Sequence, residues 1–230
     1  MCILYDITME EILKYCSHLP YHNRAHTLSV VEAGEILGLN DIPAQVAMYW
    51  HDILHTGTEQ DGDEERAAAT TILEALKHNI ITPSQVDEVN ELILGTIFKN
   101  RGKLIWRQSL IADADIAAVW QSFPIYLKNA ARLFVEHCFS QRKNHPSRKE
   151  ILSFWTQEQE AFFDYLTNIT GKSDNPFLTK EAQNAFPHFA NNRYTIAKKA
   201  QQNPDFVIDA IREEWKEFYW TNLILFEERK

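Results

Sequence analysis

Apolar residues recur along this chain at the three-to-four-residue spacing of amphipathic helices, and the segments between them read as helix ends. Thr8-Met9-Glu10-Glu11 has the form of a capping box, with Glu11 placed to reach back to the Thr8 amide. Ile12, Leu13, Tyr15, Cys16 and Leu19 follow as one stripe, which Pro20 ends. A second helix is expected from about Tyr21 to Leu37, with Leu28, Val31 and Leu37 among its apolar positions and Gly38 as its stop. Asp41-Ile42-Pro43 opens a third, with proline in the first turn. Its run Val46-Ala47-Met48-Tyr49-Trp50 is apolar on all sides, which predicts a central helix. Further helices are expected from Asp63 to about His78, from the Thr82-Pro83-Ser84-Gln85 capping box to about Phe98, and from Ile105 to Phe123, with Pro124 beginning the next. Residues 56–62 read as a polar surface loop, and Asn100-Arg101-Gly102 as a turn.

Composition supports helices over strands. The 230 residues include only 7 Gly and 8 Pro, too few for an all-β fold that turns about every 8–12 residues. The expected class is all-α. Residues 1–145 are expected to form one helical domain. Residues 146–230, richer in Phe, Trp, Gln and Asn, read as a helical extension packed on it, or as part of the same domain. The net charge of −9 argues against a nucleic-acid partner. No apolar run approaches the roughly 18 residues that span a bilayer, so no membrane partner is expected. The segment Met1-Cys2-Ile3-Leu4-Tyr5-Asp6 lacks the basic and apolar stretches of a secretory leader. Three cysteines, none in a C-x-x-C pair, suit a reducing compartment. A cytoplasmic location follows as the expectation, with a homo-oligomer left open.

The chemistry concentrates in a short stretch. His18, His22, His26, His51 and His55 are five of the nine histidines. His22 and His26 are four apart and would share a helix face. His51-Asp52 sits on the most apolar helix, where an adjacent imidazole and carboxylate are unfavourable unless both are satisfied. A divalent cation satisfies both, and this donor mix suits Zn, Mn or Fe. Asp113-Ala114-Asp115 brings carboxylates into a third apolar helix beside Leu110, Ile111, Ile116 and Val119. The two aspartates point about 200° apart on a helix, so only one faces an ion easily. The acidic segment 59–65 reads as a solvated loop, with Glu64 or Glu65 as the alternative partner of a ligand histidine or bound water. Lys99, Arg101, Lys103 and Arg107 read as a solvated basic turn, or else as a phosphate site. Trp106, Trp120, Phe123, Tyr126 and Phe134 are expected mostly in the core.

Over residues 20–120 the order H … HD … D resembles the HD superfamily of metal-dependent phosphohydrolases. His22-Asn23-Arg24-Ala25-His26 resembles the H-N-x-x-H block of the cyclic-nucleotide phosphodiesterase branch and of bacterial HD proteins that begin Y-H-N-x-x-H. His51-Asp52-Ile53-Leu54-His55-Thr56-Gly57 resembles its H-D-x-x-H-x-G stretch, and Asp115-Ile116-Ala117-Ala118-Val119 its D-L-S-A-I. The resemblance implies an HD-type helical bundle with additional C-terminal helices. It implies His26, His51, Asp52 and Asp115 as ligands of a divalent metal (Zn, Mn, Fe, Co, Ni or Mg), with a possible weaker second site held by Asp52. It favours Asp115 over Asp113, leaving Asp113 to solvent or behind the ligands. Metal-bound hydroxide would attack phosphorus, and His22 would protonate the departing oxygen. His55 would contact the phosphate or assist as a second acid–base, unless it only meets the helix dipole. Asn23 would stand beside the substrate and support the ligands.

The implied substrate is a small phosphoester, most simply a nucleotide, with a cyclic-nucleotide-type diesterase as the alternative. Gln121 and Gln157 are the candidates for a purine-clamping glutamine. A di-iron oxygenase needs two more histidines between the HD and the last aspartate, and between His55 and Asp115 this chain has only His78. A non-catalytic ligand-binding domain is the remaining class.

Overall fold

The computed structural model describes residues 19–57, 62–117, 121–141, 146–171, 175–187 and 189–227. The expected helix after Thr8, Trp120 and residues 59–61 of the acidic loop lie outside them. Among the described residues the protein is all-helical, with 11 α-helices and no strand.

Helix α1, Arg24–Ile36, starts later than the apolar pattern suggests because Asn23 caps it. The Asn23 side-chain Oδ1 accepts from the amides of Ala25 and His26, satisfying donors that a helix start leaves bare. Gly38 takes the left-handed φ of 84° that ends the segment. Helix α2, Ile42–Trp50, begins as expected, with Asp41 as its cap and proline in its first turn. A methyl group on Gly34 of α1 would occupy the place of the Met48 sulfur of α2, so the bare glycine lets the Met48 side chain lie directly against α1. α3, Asp63–Lys77, and α4, Val86–Gly95, pack on α2 and on each other. α4 follows a single tight turn, Pro83–Gln85, closed by the expected capping box. It ends three residues short of Phe98, which instead opens a 3₁₀ segment, Phe98–Lys103. α5, Trp106–Ala117, lies against α1 and α4. The next helix, α6, Phe123–Ser140, has Pro124 in its first turn as expected, and it takes in Phe123, which the pattern assigned to the end of the preceding helix.

Helices of the C-terminal part pack onto this bundle. They are α7 (Arg148–Ser153), a π-helical turn at Phe154–Glu158, α8 (Gln159–Thr170), α9 (Lys180–Ala185), α10 (Phe189–Gln202) and α11 (Pro204–Glu227). α11 runs along α6, α10 packs on both, and α9 meets α5. One cluster of buried apolar side chains extends from Tyr21 to Ile211, so the change of composition near residue 146 does not divide the core.

The tie between the two parts is polar. Asp113, expected in solvent or behind the ligands, is 0% exposed. It accepts from Arg101 Nη2 at 2.8 Å, from the amides of Leu178 and Thr179 at 3.0 and 2.8 Å, and from the Thr179 hydroxyl at 2.9 Å. Arg101 also donates to the Ala112 carbonyl. The basic turn is thus no phosphate patch: Arg101 is buried on Asp113, and Arg107 pairs with Asp41 and Glu88. Trp106, expected in the core, is 64% exposed, whereas Tyr126 and Phe134 are buried. Replacing one partner strands the other charge in the interior, so Asp113→Ala should lower unfolding stability by about 3–5 kcal/mol. Denaturant titration measures this loss. A variant as stable as the parent would mean that Arg101 finds other partners at no cost.

Candidate metal centre

Three segments converge at one end of the bundle. His26 comes from the first turn of α1. His51 caps the C-terminus of α2, and Asp52 follows it in a turn, so the His-Asp pair closes the apolar helix instead of sitting within it. Asp115 comes from the last turn of α5, two residues beyond the anchored Asp113. His26 Nε2 lies 3.1 Å from Asp52 Oδ2 and 3.2 Å from Asp115 Oδ1. His51 Nε2 lies 3.0 and 3.3 Å from the same two oxygens. The ligand-capable atoms of all four residues fall within 4.8 Å of one another.

These contacts have ion-pair lengths but not the geometry of hydrogen bonds. His26 Nε2, His51 Nε2 and Asp52 Oδ2 are buried and have no hydrogen-bond partner. Leaving such atoms unsatisfied costs about 1–3 kcal/mol each. A cation at their centre removes that cost. Two donors about 2.1 Å from one ion are about 3.0 Å apart at a right angle and about 3.4 Å apart at the tetrahedral angle, the range seen here. His51 is also oriented for the task. Its Nδ1–H donates to the Met48 carbonyl at 2.9 Å, leaving Nε2 with its lone pair toward the carboxylates.

Charge in this site has one sign of need. Burial pushes the Asp52 and Asp115 carboxyls up, but the facing imidazoles more than offset it and hold both well below the usual carboxylate range. Burial pulls the two imidazoles down, and the carboxylates more than restore them, so His26 and His51 stand above the ordinary histidine value. The carboxylates draw in positive charge, supplied by protons or by a divalent ion.

A second group, His22, His55 and Glu136, adjoins the first and is also able by geometry to hold an ion. Its internal contacts favour a hydrogen-bonded assembly. Glu136, on α6, accepts from the amides of Tyr21 and His22 at 2.8 and 3.0 Å and takes a close hydrogen bond from His22 Nδ1. The His22 and His55 rings stack with centroids 3.8 Å apart and planes 17° apart. His55 Nδ1 accepts from the Gly57 amide at 3.0 Å. His22 precedes α1, so its approach to His26, with ring centroids 5.6 Å apart, comes from the turn and from Glu136, not from a shared helix face. Burial lowers the His22 imidazole, but Asp52 and Glu136 carry it to about 9, while burial and the His22 charge push His55 down to about 4. Leu54 separates the two groups with a φ of 65°, the left-handed region rare for a residue with a side chain.

Other expected residues stand elsewhere. The Asn23 amide is engaged by backbone on both sides, since its Nδ2 donates to the Leu19 and Pro20 carbonyls. Asp63, not Glu64 or Glu65, turns inward: it accepts from the Thr56 amide and hydroxyl and lies 4.0 Å from His55 Nε2. His78 caps α3 beside Glu74, away from the cluster. Glu136 was missed because a single carboxylate on a long amphipathic helix has no sequence signature. A cavity of about 340 Å³ borders the second group, lined by His22, His55 and Glu136 on one side and by Phe154, Gln159 and Phe162 on the other. Gln159 holds a fixed orientation because the Tyr126 hydroxyl donates to its Oε1 at 2.9 Å. Neither candidate glutamine lies in this lining: the Gln157 carbonyl accepts from Ser153, and Gln121 borders a separate cavity beside His26. No protein-family model matches the chain, and no curated protein matches it. No helix among the described residues is long and apolar enough to cross a membrane.

The four-residue group predicts stoichiometric uptake of one divalent ion, measured by metal analysis after dialysis, and loss of that uptake in Asp52→Ala. Uptake should strengthen as pH rises, because His26 and His51 must shed protons to bind the ion. Affinity that is flat with pH, or unchanged in Asp52→Ala, would place the ion elsewhere.

Proposed function

We propose that the protein is a metal-dependent phosphohydrolase of the HD superfamily, acting on a small phosphoester of the nucleotide class. The observation that carries this reading is the meeting of His26, His51, Asp52 and Asp115 at 3.0–3.3 Å, with the facing atoms of His26, His51 and Asp52 unsatisfied, beside a histidine held by a buried carboxylate. The order of these residues along the chain, H … HD … D, adds to it.

His26, His51, Asp52 and Asp115 would hold the ion. When bound, a divalent ion there supplies Lewis acidity toward the phosphoryl oxygens and makes water nucleophilic near neutral pH. The chain's own residues do the rest. Glu136 fixes His22 through Nδ1 and, as a buried carboxylate, favours its protonated form, so its Nε2 edge would serve as the proton source for the leaving oxygen. His55, uncharged at neutral pH, stacks on His22 and keeps its ring in place. The cavity beside them receives the body of the leaving group against Phe154 and Phe162, which shield it from water.

Gln159 favours a second reading within the same class, a phosphodiesterase acting on a nucleotide. With its Oε1 occupied by Tyr126, its amide nitrogen is turned to donate to a heteroaromatic ring.

Metal-stripped protein reloaded with Mn, Zn, Co or Ni and assayed on nucleotides and on mono- and bis-p-nitrophenyl phosphate tests this reading. Hydrolysis should require the ion and vanish in Asp52→Ala. His22→Gln should slow alkyl esters by about 10²-fold or more yet spare nitrophenyl esters, whose leaving group needs no proton. Full activity in Asp52→Ala removes the reading. Metal uptake without hydrolysis of any ester would make the domain a ligand binder.

A further inference from the structure

We infer that the ring of Tyr21 is the positioning group of His26, doing by packing what a hydrogen bond does for His51. The inference rests on reading the four-residue group as a metal centre, and it concerns how one ligand is kept ready.

The two histidines are held differently. His51 is fixed in tautomer and ring plane by the Met48 carbonyl. The His26 side chain is 3% exposed, but its Nδ1 has no hydrogen-bond partner, so no such bond sets its rotation. The χ2 torsion of histidine is broad and roughly two-fold. A half-turn would replace Nε2 by Cε1 in front of Asp52 and Asp115 and remove one donor from the centre. Apart from the two carboxylates at Nε2, the side chains in close contact with the ring are aromatic.

Three rings contact it. Those of His22 and His51 meet it edge-on, with centroids 5.6 and 5.5 Å away and planes at 83° and 64°. The Tyr21 ring is the nearest of the three and the least steeply inclined, tilted by 35° with its centroid 4.6 Å away. A close aromatic contact of this kind is favourable and resists rotation of either ring. Tyr21 is itself fixed. It is buried in the core, and its amide donates to Glu136 Oε2 at 2.8 Å. The carboxylate that holds His22 therefore also seats the residue that clamps His26, which ties the ring planes of both histidines to one anchor on α6.

Metal affinity is the direct readout. Metal-free wild type, Tyr21→Phe and Tyr21→Leu are titrated with Co(II) or Zn(II) against a chelator, with circular dichroism of each metal-free protein as the control for folding. Groups that orient metal ligands are worth about 10–100-fold in affinity. Tyr21→Leu should lose at least the lower end of that range and change the Co(II) d–d spectrum, while Tyr21→Phe stays near wild type. Equal affinity in wild type and Tyr21→Leu overturns the inference. So does a loss in Tyr21→Phe as large as in Tyr21→Leu, which would assign the effect to the hydroxyl. An independent measurement needs no variant: in the metal-free wild type the His26 ring protons should be shifted upfield by the Tyr21 ring current. Their appearance at unshifted positions contradicts the clamp even if Tyr21→Leu does not fold. Failure of the wild type to bind any ion defeats the metal reading instead, and the ring-current shift then decides the clamp alone.

Discussion

Two imidazoles and two carboxylates are drawn into one small volume at the end of a hydrocarbon core, and the facing atoms of both imidazoles and of Asp52 lack hydrogen-bond partners. Polar atoms in that condition are destabilising unless something of opposite character joins them. The rest of the structure serves this constraint. Helix α2 is almost wholly apolar, so it stays in the interior and delivers His51 and Asp52 from its C-terminal end. α1, which carries His26, packs on it with the Met48 side chain directly against the bare Gly34. α5 completes the group with Asp115.

Beyond the first group, the C-terminal helices do more than enlarge the core. Their π-helical turn and the start of α8 bring Phe154 and Gln159 to the wall of the cavity that His22 and His55 border. Extra residues inserted into a helix commonly mark functional positions. The Asp113–Arg101–Thr179 network ties the segment before α9 to α5, the helix that carries Asp115. Glu136 does the same on the other side, joining α6 to the turn that carries Tyr21 and His22.

Much of this was legible in the sequence where a residue type has few interpretations. An Asp-x-Pro helix start, a Thr-Pro-x-Gln box and a Gly stop each have one local mechanism, and α2, the turn before α4 and the end of α1 lie where those signals put them. The clustering of His26, His51, Asp52 and an aspartate of 113–115 was legible because paired imidazoles and carboxylates in apolar surroundings need a common solution. Less legible was anything set by distant packing. Asp113 and Asp115 look alike in sequence, and only Arg101 and the backbone at 178–179 separate them. His22 looked helical because the spacing to His26 is four, but Asn23 caps the helix and leaves His22 outside. Asp63 and Gln159 owe their places to partners 7 and 33 residues away, Thr56 and Tyr126.

The central claim is that His26 and His51 bind one divalent ion together with Asp52 and Asp115. X-ray absorption at the zinc edge of the loaded protein addresses it most directly. The account predicts a first shell of nitrogen and oxygen at about 2.0–2.2 Å, with the outer scattering of two imidazoles that disappears in the His26→Ala, His51→Ala double variant. A shell of oxygen alone, or an imidazole signature that survives that double variant and is lost on removal of His22 and His55, would contradict it.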